Sequence, residues 1–156
     1  MFKQGLAIAA AATLLAGCVV DGGTVPSFPN PGAAPAFGSV SVNPGQLHTV
    51  SITAGGSINA SVLGGNCRGY IASSPDFVVN FSTLAGLLPL TFRVNANADT
   101  TLVVYDPNGR WLCDDDSGGN LNPYIQVNGP TSGRYAVWVG TYAGGIQSST
   151  LRINSL

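Results

Sequence analysis

The sequence predicts an all-β fold: an antiparallel, jelly-roll-like β-sandwich of about eight to nine short strands that follows a disordered tether. Three observations predict it. Charged residues make up 8% of the 156-residue chain, and the acids are all Asp with no Glu, which leaves nothing to dress long exposed helices with Glu and Lys pairs. The 21 glycines and 10 prolines break the chain into short pieces. Within those pieces apolar residues recur with period two, so each strand turns one face inward. At 15.8 kDa the chain allows one domain. A formal net charge of -1 and a pI near 5.5 provide no basic field for a phosphate backbone, and nucleic acid is excluded as a partner.

The first 17 residues differ from the rest. Lys3 supplies a positive start, Gly5 to Ala16 is continuously small and apolar, and Leu15-Ala16-Gly17-Cys18 closes the stretch. This pattern is an export signal. Its apolar part is shorter than the ~20 residues a spanning helix needs, and Asp21-Gly22-Gly23 follows with no basic stop-transfer cluster. Leu-Ala-Gly-Cys resembles the lipobox of bacterial lipoproteins. That resemblance implies residues 1–17 are a signal peptide, that Cys18 is the lipid attachment site carrying diacylglycerol and an amide-linked acyl chain such as palmitate, and that the membrane is a partner through this anchor. Val19 in place of Asp after the Cys resembles the pattern for transfer to the outer membrane. The expected location is the bacterial cell envelope, with the periplasmic or surface side left open.

Residues 18–36 hold four prolines and no apolar periodicity, and read as a linker. Its reach is about 23 Å as a random coil. A packed arm, with Val25 and Phe28 docking, is the alternative. The β domain is expected over 37–156. Candidate strands are Leu47 to Thr53, Ile58 to Val62, Phe77 to Phe81, Leu90 to Val94, Thr101 to Tyr105, Arg110 to Cys113, Tyr124 to Val127, Arg134 to Val139 and Thr150 to Asn154. Asp106-Pro107-Asn108-Gly109 suits a type I turn, which makes Tyr105 and Trp111 the ends of a hairpin.

With Cys18 assigned to lipid, Cys67 and Cys113 form an even pair in an oxidising compartment and are expected to be disulfide-bonded. His48 is the single histidine and reads as a solvent-facing strand residue, since no Gly-x-Ser-x-Gly context supports a triad. One His and two paired Cys also leave too few ligands for zinc. The dense acidic run is Asp114-Asp115-Asp116 followed by Ser117-Gly118-Gly119-Asn120. In an extended segment Asp114 and Asp116 point the same way, which makes them calcium candidates together with Asp99, and with Asn97 and Asn120 as further oxygen donors. The calcium-loop pattern fails at its fifth and twelfth positions, Gly118 and Ile125. The competing reading is a polar loop whose Asp side chains cap turns. No other cofactor is expected. Tyr135, Val137 and Val139 share one face of their strand and Trp138 the other. Trp138, with Trp111 and Tyr142, is therefore either a second packing layer or an exposed platform for a sugar or peptide.

Cys67-x-Gly69-Tyr70-Ile71, the stretch from Pro89 to Asp116, and Gly133 to Tyr142 together resemble the bacterial pre-peptidase C-terminal domain, across most of residues 40–156. The resemblance implies a jelly-roll-like sandwich that accompanies exported enzymes without performing their chemistry, some members binding calcium through acidic loops. No protease segment precedes the module here. The expected function is a non-catalytic, lipid-anchored envelope module that binds or scaffolds another surface component, an envelope protein or a polysaccharide, with no catalytic residues. A hydrolase using Asp residues or His48 in a cleft between the sheets, and a purely structural envelope protein, are the alternatives.

Overall fold

The structure is a computed structural model describing residues 27–83 and 87–156. The signal peptide, Cys18 and the first part of the expected linker lie outside the described residues. In chain order the strands are β1 (Ser39–Val42), β2 (Leu47–Gly55), β3 (Ile58–Asn59), β4 (Tyr70–Ile71), β5 (Phe77–Phe81), β6 (Leu90–Ala96), β7 (Thr100–Tyr105), β8 (Trp111–Asp114), β9 (Tyr124–Val127), β10 (Gly133–Thr141) and β11 (Ile146–Asn154). The fold is the expected β-sandwich, with eleven strands among the described residues.

In the first sheet the nine-residue β10 is central. It pairs with β7 on one side, and β8 continues beyond β7. On its other side it meets β5 and then, at Thr141, β4, with β3 alongside. β1 closes that edge in parallel with β5. The second sheet runs β2-β11-β6-β9 and is antiparallel throughout. Between the two lies the main core, including Phe81, Phe92, Leu102, Tyr135, Val137 and Leu151. Phe92 and Tyr135 meet at 6.0 Å between ring centroids. This filled interior corrects the alternative of a catalytic cleft between the sheets, since the side chains of both inner faces occupy that space.

A second apolar layer covers the outer face of the first sheet. Ile58, Ala60, Cys67 and Ile71 pack there on Val103, Ala136 and Trp138. Strands β7 and β10 are consequently buried on both faces, which accounts for their unbroken apolar runs. Gly140 answers the same crowding: a Cβ there would stand 2.4 Å from Thr101 Oγ1 and 2.7 Å from the Tyr70 carbonyl oxygen.

Two departures from the sequence reading have local causes. The run Ile58 to Val62 is strand only at its first two residues, because Asn59 caps a 3-10 turn over Ala60–Leu63 by accepting the Ser61 N–H at 3.0 Å. The described end of the expected linker is laid against the sandwich. Asn30, Ala36 and Phe37 donate backbone hydrogen bonds to Ser73, Pro75 and Asp76, and the Arg134 guanidinium bonds the carbonyls of Pro31 and Ala33. Those contacts offset the ordering cost that composition alone left unmatched.

Candidate functional site

The alternation that buries Ile52, Val94, Ile125 and Leu151 turns a different set of side chains outward from the second sheet. Strand register arranges that set in rows. Thr53 lies opposite Ser148, and Ser51, Thr150 and Asn95 form the next row. The row after it crosses all four strands as Thr49, Arg152, Arg93 and Tyr124. Leu47, Asn154, Thr91 and Gln126 follow. Hydroxyl and amide groups dominate this face, and none of the residues in these rows is acidic. The Tyr124 hydroxyl donates to Gln126 Oε1 at 2.8 Å, fixing the ring at the β9 edge.

Two hollows mark the face. One, of about 1070 Å³, is walled by Ser51, Asn95, Asn97, Thr150 and the turn at Asn120-Leu121. That turn places both residues in the left-handed region, at φ of 56° and 58°. Asn122 secures it. Its Oδ1 accepts the Ala96 N–H at 2.9 Å and its Nδ2 donates to the Asn120 carbonyl at 3.0 Å. The other hollow, of about 360 Å³, lies over Arg93, Arg152, Tyr124 and Gln126.

Two of the three acids of the acidic run have partners of their own. Asp114 Oδ2 accepts the backbone N–H of Ser117 at 3.0 Å and of Tyr124 at 2.9 Å, so it closes the loop between β8 and β9. Asp115 pairs with Arg68 at 3.7 Å. Asp116 is exposed. Asp99 has its carboxyl pushed above the ordinary value by desolvation first, then by the charges of Asp116 and Asp115. Among the described residues no three His, Cys, Asp or Glu side chains are grouped to hold a metal ion. Asp114 therefore acts as a turn cap, the reading that competed with calcium at this run.

Cys67 and Cys113 are disulfide-bonded with Cα atoms 5.0 Å apart. The bridge ties the loop after the 3-10 turn to β8. Beside it the Trp111 ring meets those of Tyr105 at 4.6 Å and Trp138 at 5.4 Å between centroids, tilted by 53° and 48°. Trp138 has no exposed surface, which corrects its candidacy as a binding platform: it fills the second apolar layer beneath the disulfide-bound segment. Trp111 is half-buried in the same layer, and Tyr142 is 47% exposed just beyond β10. His48 is half-buried and not solvent-facing as expected. It shares the inward side of β2 and stacks on Phe77 at 5.6 Å with the rings 15° from parallel.

The sequence reading passed over Arg93, Arg152 and Asp76. The two arginines carry a signal only once register is known, because nothing in their spacing sets them opposite each other. Asp76 sits before β5, 3% exposed, and its Oδ2 accepts the Val139 N–H at 2.7 Å. It fills the gap on β10 between the end of β5 and the single pairing with β4. Asp106 is also buried. Its desolvation is outweighed by Arg110, which donates from its backbone and side chain, and by the Asn108 N–H, so the carboxyl is held below the ordinary value.

No family model matches the chain, and no curated protein matches it. Among solved structures, it is similar to the periplasmic lysozyme inhibitor PliG of Aeromonas hydrophila, an inhibitor of g-type lysozyme. The TM-score is 0.41 at 11% sequence identity, over 76% of this chain and 97% of that one.

Proposed function

We propose that the chain is a non-catalytic binding module of the bacterial envelope, held at a membrane by lipid on Cys18, and that the outer face of the second sheet is where it docks a hydroxyl-rich component such as a polysaccharide. One observation carries the reading: four strands align Thr, Ser, Asn and Gln side chains in register over a broad surface without an acidic group among them. Such a surface offers many directional donors and acceptors and little to repel a glycan. A module of the pre-peptidase C-terminal kind suits this role, and the segments behind that resemblance include β6 of this sheet as well as β4, β7, β8 and β10 of the other. The titratable groups have other uses here: Cys67 with Cys113, His48 with Phe77, Asp106 with Arg110, and Asp114 with the backbone.

The experiment is retention of the full chain, extracted in detergent, on immobilised dextran and on purified envelope polysaccharide. Replacement of Thr150 by Val and Asn95 by Leu is expected to abolish retention while leaving the melting temperature within a few degrees. Retention unchanged in that double variant refutes the assignment of the face.

A further inference from the structure

The five arginines of the β domain have unequal surroundings. Arg68 pairs with Asp115 and Arg110 with Asp106. Arg134 is occupied by the carbonyls of Pro31 and Ala33. The other two have no carboxylate partner among the described residues, and they are direct cross-strand neighbours, Arg152 of β11 opposite Arg93 of β6. Like charges placed opposite each other in an antiparallel pair oppose folding. General basicity is not the cause, because the chain is net acidic.

The flanking residues complete a constellation. Arg93 is steered by one hydrogen bond to the Gly118 carbonyl at 2.5 Å, which leaves further guanidinium donors uncommitted. Arg152 has no protein partner among the described residues and is exposed. Tyr124 stands on the far side of Arg93 in the same row, and Thr49 on the far side of Arg152. The hollow of about 360 Å³ lies over the pair. Two guanidinium groups side by side match an oxyanion with multiple acceptor oxygens, and the adjoining tyrosine ring suits the apolar face of a sugar.

We infer that Arg93 and Arg152 form an anion subsite within the polar face, and that the ligand is an acidic polysaccharide whose carboxylate or phosphate groups bridge the two guanidinium groups while its hydroxyls meet the neighbouring Ser, Thr and Asn rows. This rests on the proposed binding role of that face and names its ligand class. The surrounding rows consist mainly of hydrogen-bonding side chains, which favours a glycan over a lipid surface.

The test uses the full chain in detergent against four probes: polygalacturonate for carboxylate, a phosphomannan for phosphate, dextran as the neutral polymer, and phosphatidylglycerol vesicles. Polygalacturonate or phosphomannan, whichever matches the anion, is expected to bind at least tenfold more tightly than dextran, with the advantage lost on raising salt to about 0.5 M. Arg152→Gln is expected to erase that advantage. It is also expected to raise the melting temperature of the unliganded protein, since it relieves the repulsion with Arg93. Arg68→Gln, outside the face, is expected to leave both polymers bound as before. Equal dextran and acidic-polymer binding in the parent chain, or an advantage that survives Arg152→Gln, overturns the anion subsite while leaving the glycan-binding face in place. Loss of all polymer binding in the parent chain overturns both. Binding confined to the vesicles overturns the polysaccharide in favour of a membrane surface.

Discussion

Replacing Asp76 by Asn tests whether a buried carboxyl makes the fold pH-sensitive. Burial raises the pKa of Asp76 from 3.8 to about 7, against the smaller opposing effect of the Val139 hydrogen bond. The sign follows from proton counting. Below the unfolded value of 3.8 both states hold the proton, and the group does not bias folding. From there to about 7 the unfolded chain has released a proton that the folded chain keeps, so stability falls as pH rises. Above about 7 both states are ionised and the loss is complete. A shift of this size corresponds to on the order of 4 kcal/mol. Asn retains an oxygen for the Val139 N–H and has no charge to bury. The difference in unfolding free energy between Asp76→Asn and the parent is therefore expected to grow from near zero at pH 4 to about 4 kcal/mol in favour of Asn at pH 8, a rise in melting temperature of roughly 10–15 °C. Urea unfolding followed by circular dichroism at pH 4, 6 and 8 measures it. Taking the difference cancels the opposite contribution of Asp106, whose lowered pKa makes its stabilisation fade as pH falls. A difference independent of pH, or an Asn variant weaker at pH 8, refutes the reasoning.

Three further outcomes are expected. Cys18→Ser is expected to abolish incorporation of labelled palmitate and membrane retention while the sandwich keeps its circular dichroism spectrum; equal labelling of the variant would remove the lipobox assignment. Replacing Cys67 and Cys113 together by Ala is expected to cost up to ~4 kcal/mol of stability by the chain-entropy account of a 46-position closure, and non-reducing mass mapping should recover the linked peptides from the parent. Asp114→Ala is expected to destabilise by ~1–3 kcal/mol through the orphaned N–H groups of Ser117 and Tyr124, whereas millimolar calcium is expected to leave the parent's melting temperature unchanged; a calcium-dependent rise abolished by Asn at both Asp114 and Asp116 would restore the metal reading.

Local chemistry made much of this protein legible in its sequence. Short apolar runs bounded by turn residues located Phe77 to Phe81 and Tyr124 to Val127 with their observed ends, and in the second the half-buried strand writes its faces into adjacent residues. The Asp106 to Gly109 turn was readable for the same reason, with the Gly109 N–H bonding the Asp106 carbonyl at 3.1 Å. The parity of the cysteines pointed to the Cys67 to Cys113 bridge. What depends on residues far apart in the chain was not legible. The parallel pairing of β1 with β5 has no local turn to announce it. Trp138 reads the same whether it faces solvent or a second layer, and only the 58–72 segment folded over β10 decided that it is core. Asp76 carries no motif; its place in a gap in the pairing of β10 and the burial that raises its pKa both depend on the fold. The Arg152 and Arg93 pair is decided by the register of β11 against β6, and a slip of β11 by one residue would turn Arg152 to the face opposite Arg93.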